Sequence, residues 1–160
     1  MKDLIKKLQE LFDYKDGTLY RKISVQGAPS GVKASHVGNK NHYEYINVNR
    51  KKIRTHRAIY MMHHGYCPDA IDHIDGDKRN NKIENLRDAT KSQNQMNRGK
   101  YNNNKSGVKN VHWNKLLSKW TVKLNVNKKR IHVGHFDDLE FAELVALEAR
   151  NKFHGNFAHH

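Results

Sequence analysis

Cysteine is almost missing from this chain: Cys67 stands alone among 160 residues. That excludes an internal disulfide framework and a Cys-rich zinc module, and it fits a reducing compartment. Long apolar runs are also missing, with nothing near the ~20 residues needed to span a bilayer. The N-terminal stretch from Met1 to Phe12 is an amphipathic helix pattern rather than a signal peptide. A soluble, intracellular protein with no membrane partner is expected. Apolar residues are scarce at 36%, below the globular average of about 45–50%, which excludes a large single core and points to several small units. Acid is scarce too. Sixteen Asp and Glu against thirty Lys and Arg leave a formal charge of +14, which implies a polyanion partner.

The charge is unevenly spread. Net values are zero over residues 1–20, +8 over 21–67, zero over 68–98, +9 over 99–135 and −3 over 136–160. Two basic blocks thus flank a neutral segment dense in Asp, His and Asn. Cations neutralise backbone phosphates, while carboxylates gather where a divalent ion must be held. Arg50, Lys51, Lys52, Arg54 and Arg57 in the first block, and Arg87 beyond it, are the expected DNA contacts on the N-terminal side.

Leu4, Ile5, Leu8, Leu11 and Phe12 recur at helical spacing and predict a helix over residues 2–12. Asp16-Gly17 signals a turn into a strand from Thr18 to Ile23. Residues 43–48 alternate as a strand, the chain turns at residues 49–52 into another, and residues 56–64 read as a helix ended by Gly65. Two apolar-anchored runs, Ile71 to Ile74 and Ile83 to Leu86, suit an irregular hairpin. Thr90 with Gln93 is a capping-box pattern that starts a helix carrying Asn94. The polar, turn-rich residues 99–106 form a linker. Beyond it, strands over 108–113, 119–126 and 130–136 precede a helix that opens at Asp137 with Glu140 and bears the stripe Ala142, Val145, Ala146, Ala149 and Phe153. The fold class is therefore α+β, with a C-terminal three-stranded antiparallel sheet packed on one helix.

Segment 71–98 carries the chemistry. Hydrolysis of a phosphodiester needs a water, a base to take its proton, and positive charge on the oxygens that become anionic. A neutral histidine at a strand end serves as base if an acceptor fixes its second nitrogen, because that bond selects the tautomer. Asp carboxylate and Asn carbonyl oxygens suit Mg²⁺, which takes the rest of its shell from water and phosphate. Asp72, His73, Asn85 and Asn94 supply such a set. Asp75, Gly76 and Asp77 read equally well as turn residues, and Asn80 and Asn81 as loop-shaping ones.

The run Ile-Asp-His-Ile-Asp-Gly-Asp-Lys-Arg-Asn-Asn-Lys-Ile-Glu-Asn-Leu-Arg over residues 71–87, continuing to Ser92-Gln93-Asn94, resembles the HNH endonucleases of phages and group I introns. The resemblance implies a small ββα-metal (His-Me finger) nuclease core at 55–98, after a helix and basic β-rich region at 1–54. It assigns His73 as general base, Asn85 as the residue that orients it, and Asp72 and Asn94 as ligands of one Mg²⁺ or Mn²⁺. Asn94 stands where the family's letter pattern has a final His.

Residues 107–157 resemble the plant ethylene-response (APETALA-type) DNA-binding domain, through Trp113, Trp120, Gly134 and Phe136. That resemblance implies a sheet face in the major groove, here offering Lys109, Trp113, Lys119, Trp120, Lys123, Lys128 and Arg130. Together the two resemblances imply a Mg²⁺-dependent endonuclease acting on double-stranded DNA in the cytoplasm of a bacterial host. It would use no small-molecule cofactor and would nick one strand per monomer, with a dimer needed for a double-strand break. The competing reading is a DNA-binding regulator whose HNH segment is catalytically dead.

Overall fold

The computed structural model describes residues 1–25, 27–38 and 42–159. Its contacts divide the chain into two compact units, residues 1–89 and 90–160. Both are mixed α/β with small antiparallel sheets. Among the described residues no helix is long and apolar enough to cross a membrane.

The first unit opens with helix α1 (Lys2–Leu11), whose apolar stripe buries Ile5 and Leu8. The chain turns extended at Phe12 and enters strand β1 (Phe12–Lys15) without a loop. This strand is not visible in the alternation, because Phe12 also completes the helical stripe. Asp16 and Gly17, both at positive φ, turn β1 into β2 (Thr18–Arg21), the two-residue geometry whose twist matches antiparallel strands. The strand expected to reach Ile23 ends at Arg21. A second sheet orders β3 (His36–Val37), β4 (Glu44–Val48) and β5 (Lys51–Arg54), with Asn49 and Arg50 at positive φ in its turn. Helix α2 (Thr55–His64) follows and stops at Gly65, whose left-handed φ of 74° suits a residue without Cβ. Leu8, Phe12, Leu19, Ile46, Ala58 and Ile59 form the fully buried centre of this unit. Each large apolar side chain there contributes roughly 1.5–3 kcal/mol. Strands β6 (Ala70–His73) and β7 (Leu86–Ala89) close the unit as an antiparallel pair in which Asp72 faces Arg87 and His73 faces Leu86.

The β1–β2 turn braces the loop between β6 and β7. A Cβ on Gly17 would lie 2.9 Å from the backbone nitrogen of Lys82 and 3.1 Å from the carbonyl carbon of Asn81. Asp16 also pairs with Lys82 at 2.9 Å, and Tyr14 Oη accepts from the Ile83 amide at 3.0 Å. Gly17→Ala must therefore strain a positive φ and push on the Asn81–Lys82 backbone at once. The expected loss is about 1–3 kcal/mol, measurable by urea unfolding; an unchanged midpoint would contradict the close approach.

The second unit begins at Thr90. Its hydroxyl accepts from the Gln93 amide at 3.2 Å while Gln93 Oε1 accepts from the Thr90 amide at 2.8 Å, so the expected capping box starts α3 (Lys91–Met96). Strands β8 (Val111–Asn114), β9 (Lys119–Val126) and β10 (Lys129–Phe136) form a sheet of order β10-β9-β8. Helix α4 (Leu139–His154) covers it, burying Val111, Val122 and Leu124 against Ala142, Ala146 and Ala149. The three strands and the covering helix agree with the sequence expectation. The helix start differs: Asp138, not Asp137, caps α4 by accepting from the Phe141 amide at 2.7 Å, and Asp137 pairs with Lys119. Phe153, expected in the buried stripe, is exposed; Arg150 and His154 turn inward instead.

Candidate active site around His73

Alternation along β6 sends its last two side chains to opposite faces of the hairpin, and both are buried. On one face, Asp72 Oδ2 accepts from Arg87 Nε at 2.8 Å and Nη2 at 2.7 Å. On the other, the His73 ring meets His56 edge-on at 5.0 Å between centroids and Tyr43 at 6.1 Å. Arg54 and Lys78 sit over the Tyr43 ring at 4.7 and 5.2 Å, which places two cations beside the histidine pocket.

His73 Nε2 lies 3.2 Å from Asn81 Oδ1. Asn81 is almost fully buried, and its Nδ2 donates to Glu44 Oε2 at 3.4 Å. Burial lowers the pKa of His73; the Asn81 hydrogen bond and the carboxylates of Asp75, Asp72 and Asp77 oppose that only in part. The ring is therefore held neutral, the state a base requires. His56 is pushed further down, to about 3, by burial first and then by His73, Arg54 and Arg57. Burial raises the Tyr43 hydroxyl despite the Arg54 charge.

The loop after His73 is a closed network. Asp75 Oδ1 accepts from the Asp77 amide at 2.8 Å and from Asn85 Nδ2 at 2.9 Å, and its Oδ2 accepts from Asn80 Nδ2 at 2.7 Å. Asn85 also accepts from the Asp75 amide at 3.1 Å and donates to the Asn80 carbonyl at 2.8 Å. Burial raises the Asp75 carboxyl, but the hydrogen bonds from Asn80, Asn85 and Asp77 outweigh it and leave the group below the usual range.

Several expected site residues take different places. Asn85 pins the loop directly after His73 with both ends of its amide, while the amide that faces the ring is that of Asn81. Asn81 reads in sequence as one more loop asparagine, and nothing in its neighbours marks it as buried. Glu44 was also missed, although a signal existed, since it is the only acid between residues 21 and 67. Arg57, expected on DNA, donates to Cys67 Sγ, the Pro68 carbonyl and the Asp69 carbonyl, tying α2 to the segment before β6. Arg87 is committed to Asp72. Arg50, Lys51, Lys52 and Arg54 are exposed. Asn94 lies in α3 of the second unit, half-buried.

In the second unit, register places Lys119, Thr121, Lys123, His112, Arg130, His132 and His135 on the sheet face away from α4. Trp120, expected on that outer face, packs against the core, and Trp113 meets it edge-on at 4.9 Å. Lys109 turns inward, donating to the Met96 carbonyl at 2.8 Å, and burial with Arg150 nearby lowers its pKa to about 8. Lys128 is exposed in the β9–β10 turn. The segment expected as a linker, together with β8 and β9, lines a cavity of about 550 Å³ whose walls include Arg98, Lys100, Tyr101, Trp113 and Lys123.

Residues 54–96 match the model of an HNH endonuclease family, which spans β6, β7 and α3. Protein 3.8 of Escherichia phage T7 is 31% identical over 110 residues, covering 68% of this chain and 90% of that protein. No solved structure matches. The comparisons do not support the APETALA-type reading of residues 107–157. The chain thus belongs to the family of phage T7 Protein 3.8 and carries an HNH endonuclease domain at residues 54–96.

Proposed function

We propose that the protein is a metal-dependent DNA endonuclease with His73 as its general base. The observation that carries this reading is a buried, neutral histidine at a strand end whose Nε2 faces a fixed amide carbonyl. That arrangement assigns the proton to Nε2 and the basic lone pair to Nδ1. Nδ1 then takes the proton of a water as its oxygen attacks phosphorus, the bond from phosphorus to the 3′ oxygen breaks, and that oxygen takes a proton from solvent, leaving 5′-phosphate and 3′-hydroxyl ends. Arg54 and Lys78, beside the pocket, hold the scissile phosphate by charge. One site per chain cleaves one strand, so the expected product is a nick.

The donor chemistry fits a hard divalent ion such as Mg²⁺ or Mn²⁺. Among the described residues no group of three His, Cys, Asp or Glu could hold a metal by itself; Mg²⁺ commonly takes only one or two protein oxygens and fills its shell with water and phosphate. By the family resemblance, Asp72 would be the carboxylate ligand. A carboxylate has about four acceptor positions, so the Arg87 pair on Oδ2 is compatible with an ion and fixes the carboxylate's direction. When bound, the ion would supply positive charge for the oxygens that become anionic. The assignment of Asn94 as a second ligand rests on the family resemblance.

The outer sheet face of the second unit is proposed as the DNA-binding surface. Residues 99–135 hold nine cations and no acid, and Lys119, Lys123 and Arg130 project from that face. Such contacts release counterions, so affinity should fall steeply with salt. The test compares Mg²⁺ with EDTA on the same DNA. Removing the ion should abolish cutting while gel-shift binding persists; a chain that binds in both conditions and cuts in neither would sustain the DNA-binding regulator instead.

A further inference from the structure

Glu44 stands alone in its charge block, one carboxylate among nine Lys and Arg between residues 21 and 67. Such a group is expected at the surface among its counterions, yet Glu44 is only 8% exposed. Burying a carboxylate is costly unless donors meet it, and three do. Lys33 Nζ approaches Oε1 at 2.8 Å, while Ser35 Oγ at 2.9 Å and Asn81 Nδ2 at 3.4 Å both donate to Oε2. Lys33, Ser35 and Glu44 all precede the segment matched by the HNH family model.

The consequence follows from what each group can donate. A carboxylate paired with lysine only accepts, so the end of the Asn81 amide that faces Glu44 must be its NH₂. The carbonyl end is thereby turned to His73, 3.2 Å away. A carbonyl also only accepts, so the nitrogen it faces must carry the ring proton. Without the carboxylate, the Asn81 NH₂ loses the acceptor that Glu44 gives it, and Glu44 no longer holds the amide in this orientation. Flipped, it would donate to Nε2 and move the ring proton to Nδ1.

We propose that Glu44 is a positioning residue for the His73 base: through Asn81 it selects the tautomer in which Nε2 carries the proton and Nδ1 is basic. The inference rests on the reading of His73 as the base, but its structural half can be tested apart from cleavage. The closing experiment records two-bond ¹H–¹⁵N correlations of the histidine rings in metal-free protein, at a pH where His73 is neutral. Its signals are identified by their loss in His73→Gln. Glu44→Gln keeps the side chain's size but presents a donor as well as an acceptor, so Asn81 is no longer held one way.

Wild type should show the Nε2–H form. Glu44→Gln should show a mixture with the Nδ1–H form, and kcat for strand cleavage should drop about 10–100-fold with KM unchanged, as for other residues that orient a reacting group from behind. An Nδ1–H ring in wild type overturns the proposal, and does so even if the variant fails to fold. So does a slow Glu44→Gln whose His73 tautomer is unchanged, because the defect would then be structural. A variant identical to wild type in both readouts overturns it as well. Should wild type cleave no DNA, the nuclease reading falls, while a tautomer shift in Glu44→Gln would still sustain the coupling from Glu44 to His73.

Discussion

Replacing His73 with alanine should slow strand cleavage by about 10²–10⁴-fold, the usual contribution of a positioned general base. The size follows from the pocket. His73 is 5% exposed, its ring is neutral, and its Nε2 faces Asn81, which leaves Nδ1 as the basic nitrogen. Its neighbour His56 is also neutral, but its pKa of about 3 makes it a very weak base. Removing a buried ring also leaves a cavity, so thermal unfolding must accompany the rate. A large loss of rate in protein that stays folded at the assay temperature is the expected outcome. A folded variant that cuts at the wild-type rate would remove His73 from the chemistry.

Mild acid should destabilise the protein through His56. In the folded chain its pKa is about 3 against an ordinary value of 6.5. Below pH 6.5 the unfolded chain therefore binds a proton that the folded chain refuses. This term leaves stability untouched above the ordinary value and lowers it as pH falls from there towards 3. The slope is about 1.4 kcal/mol per pH unit, or about 2 kcal/mol lost between pH 6.5 and pH 5. Arg54, Arg57 and His73 face the ring and add repulsion to the cost of charging it. His56 Nδ1 is buried without a hydrogen-bond partner, so leucine at this position leaves the Nδ1 end with no bond to lose. Urea unfolding of wild type and His56→Leu at pH 7 and pH 5 should show a steep acid loss in the first and a shallow one in the second. Parallel losses would place the acid sensitivity elsewhere.

These effects mark where the sequence was informative. The elements were largely legible, because helical stripes such as Ile5 and Leu8, the Thr90–Gln93 capping box and the turn signal at Asp16-Gly17 act locally. Strand β1 was hidden because Phe12 satisfies a helical and a strand pattern at once. Asp72 and His73 stood out through adjacency and residue type. The partner of His73 did not, since Asn80, Asn81 and Asn85 are chemically identical and only the folded loop decides that Asn85 pins Asp75 while Asn81 faces the ring. Basic residues were over-assigned to DNA for a related reason. A count of charge cannot tell Arg130, exposed on the outer sheet face, from Arg57 and Lys109, whose donors are used inside the fold. Trp120 packs on the core because it lies on that side of β9 by its register with Phe136 and Trp113, whereas Trp113 stays 45% exposed.

The central claim is that this chain hydrolyses DNA at His73. Its most direct test incubates supercoiled plasmid with Mg²⁺ and either wild type or His73→Ala, at equal concentrations of folded protein, and follows conversion to the open-circular form. Wild type should nick the plasmid and His73→Ala should leave it supercoiled. Equal nicking by both proteins, or none by either while both bind the DNA, would contradict the account.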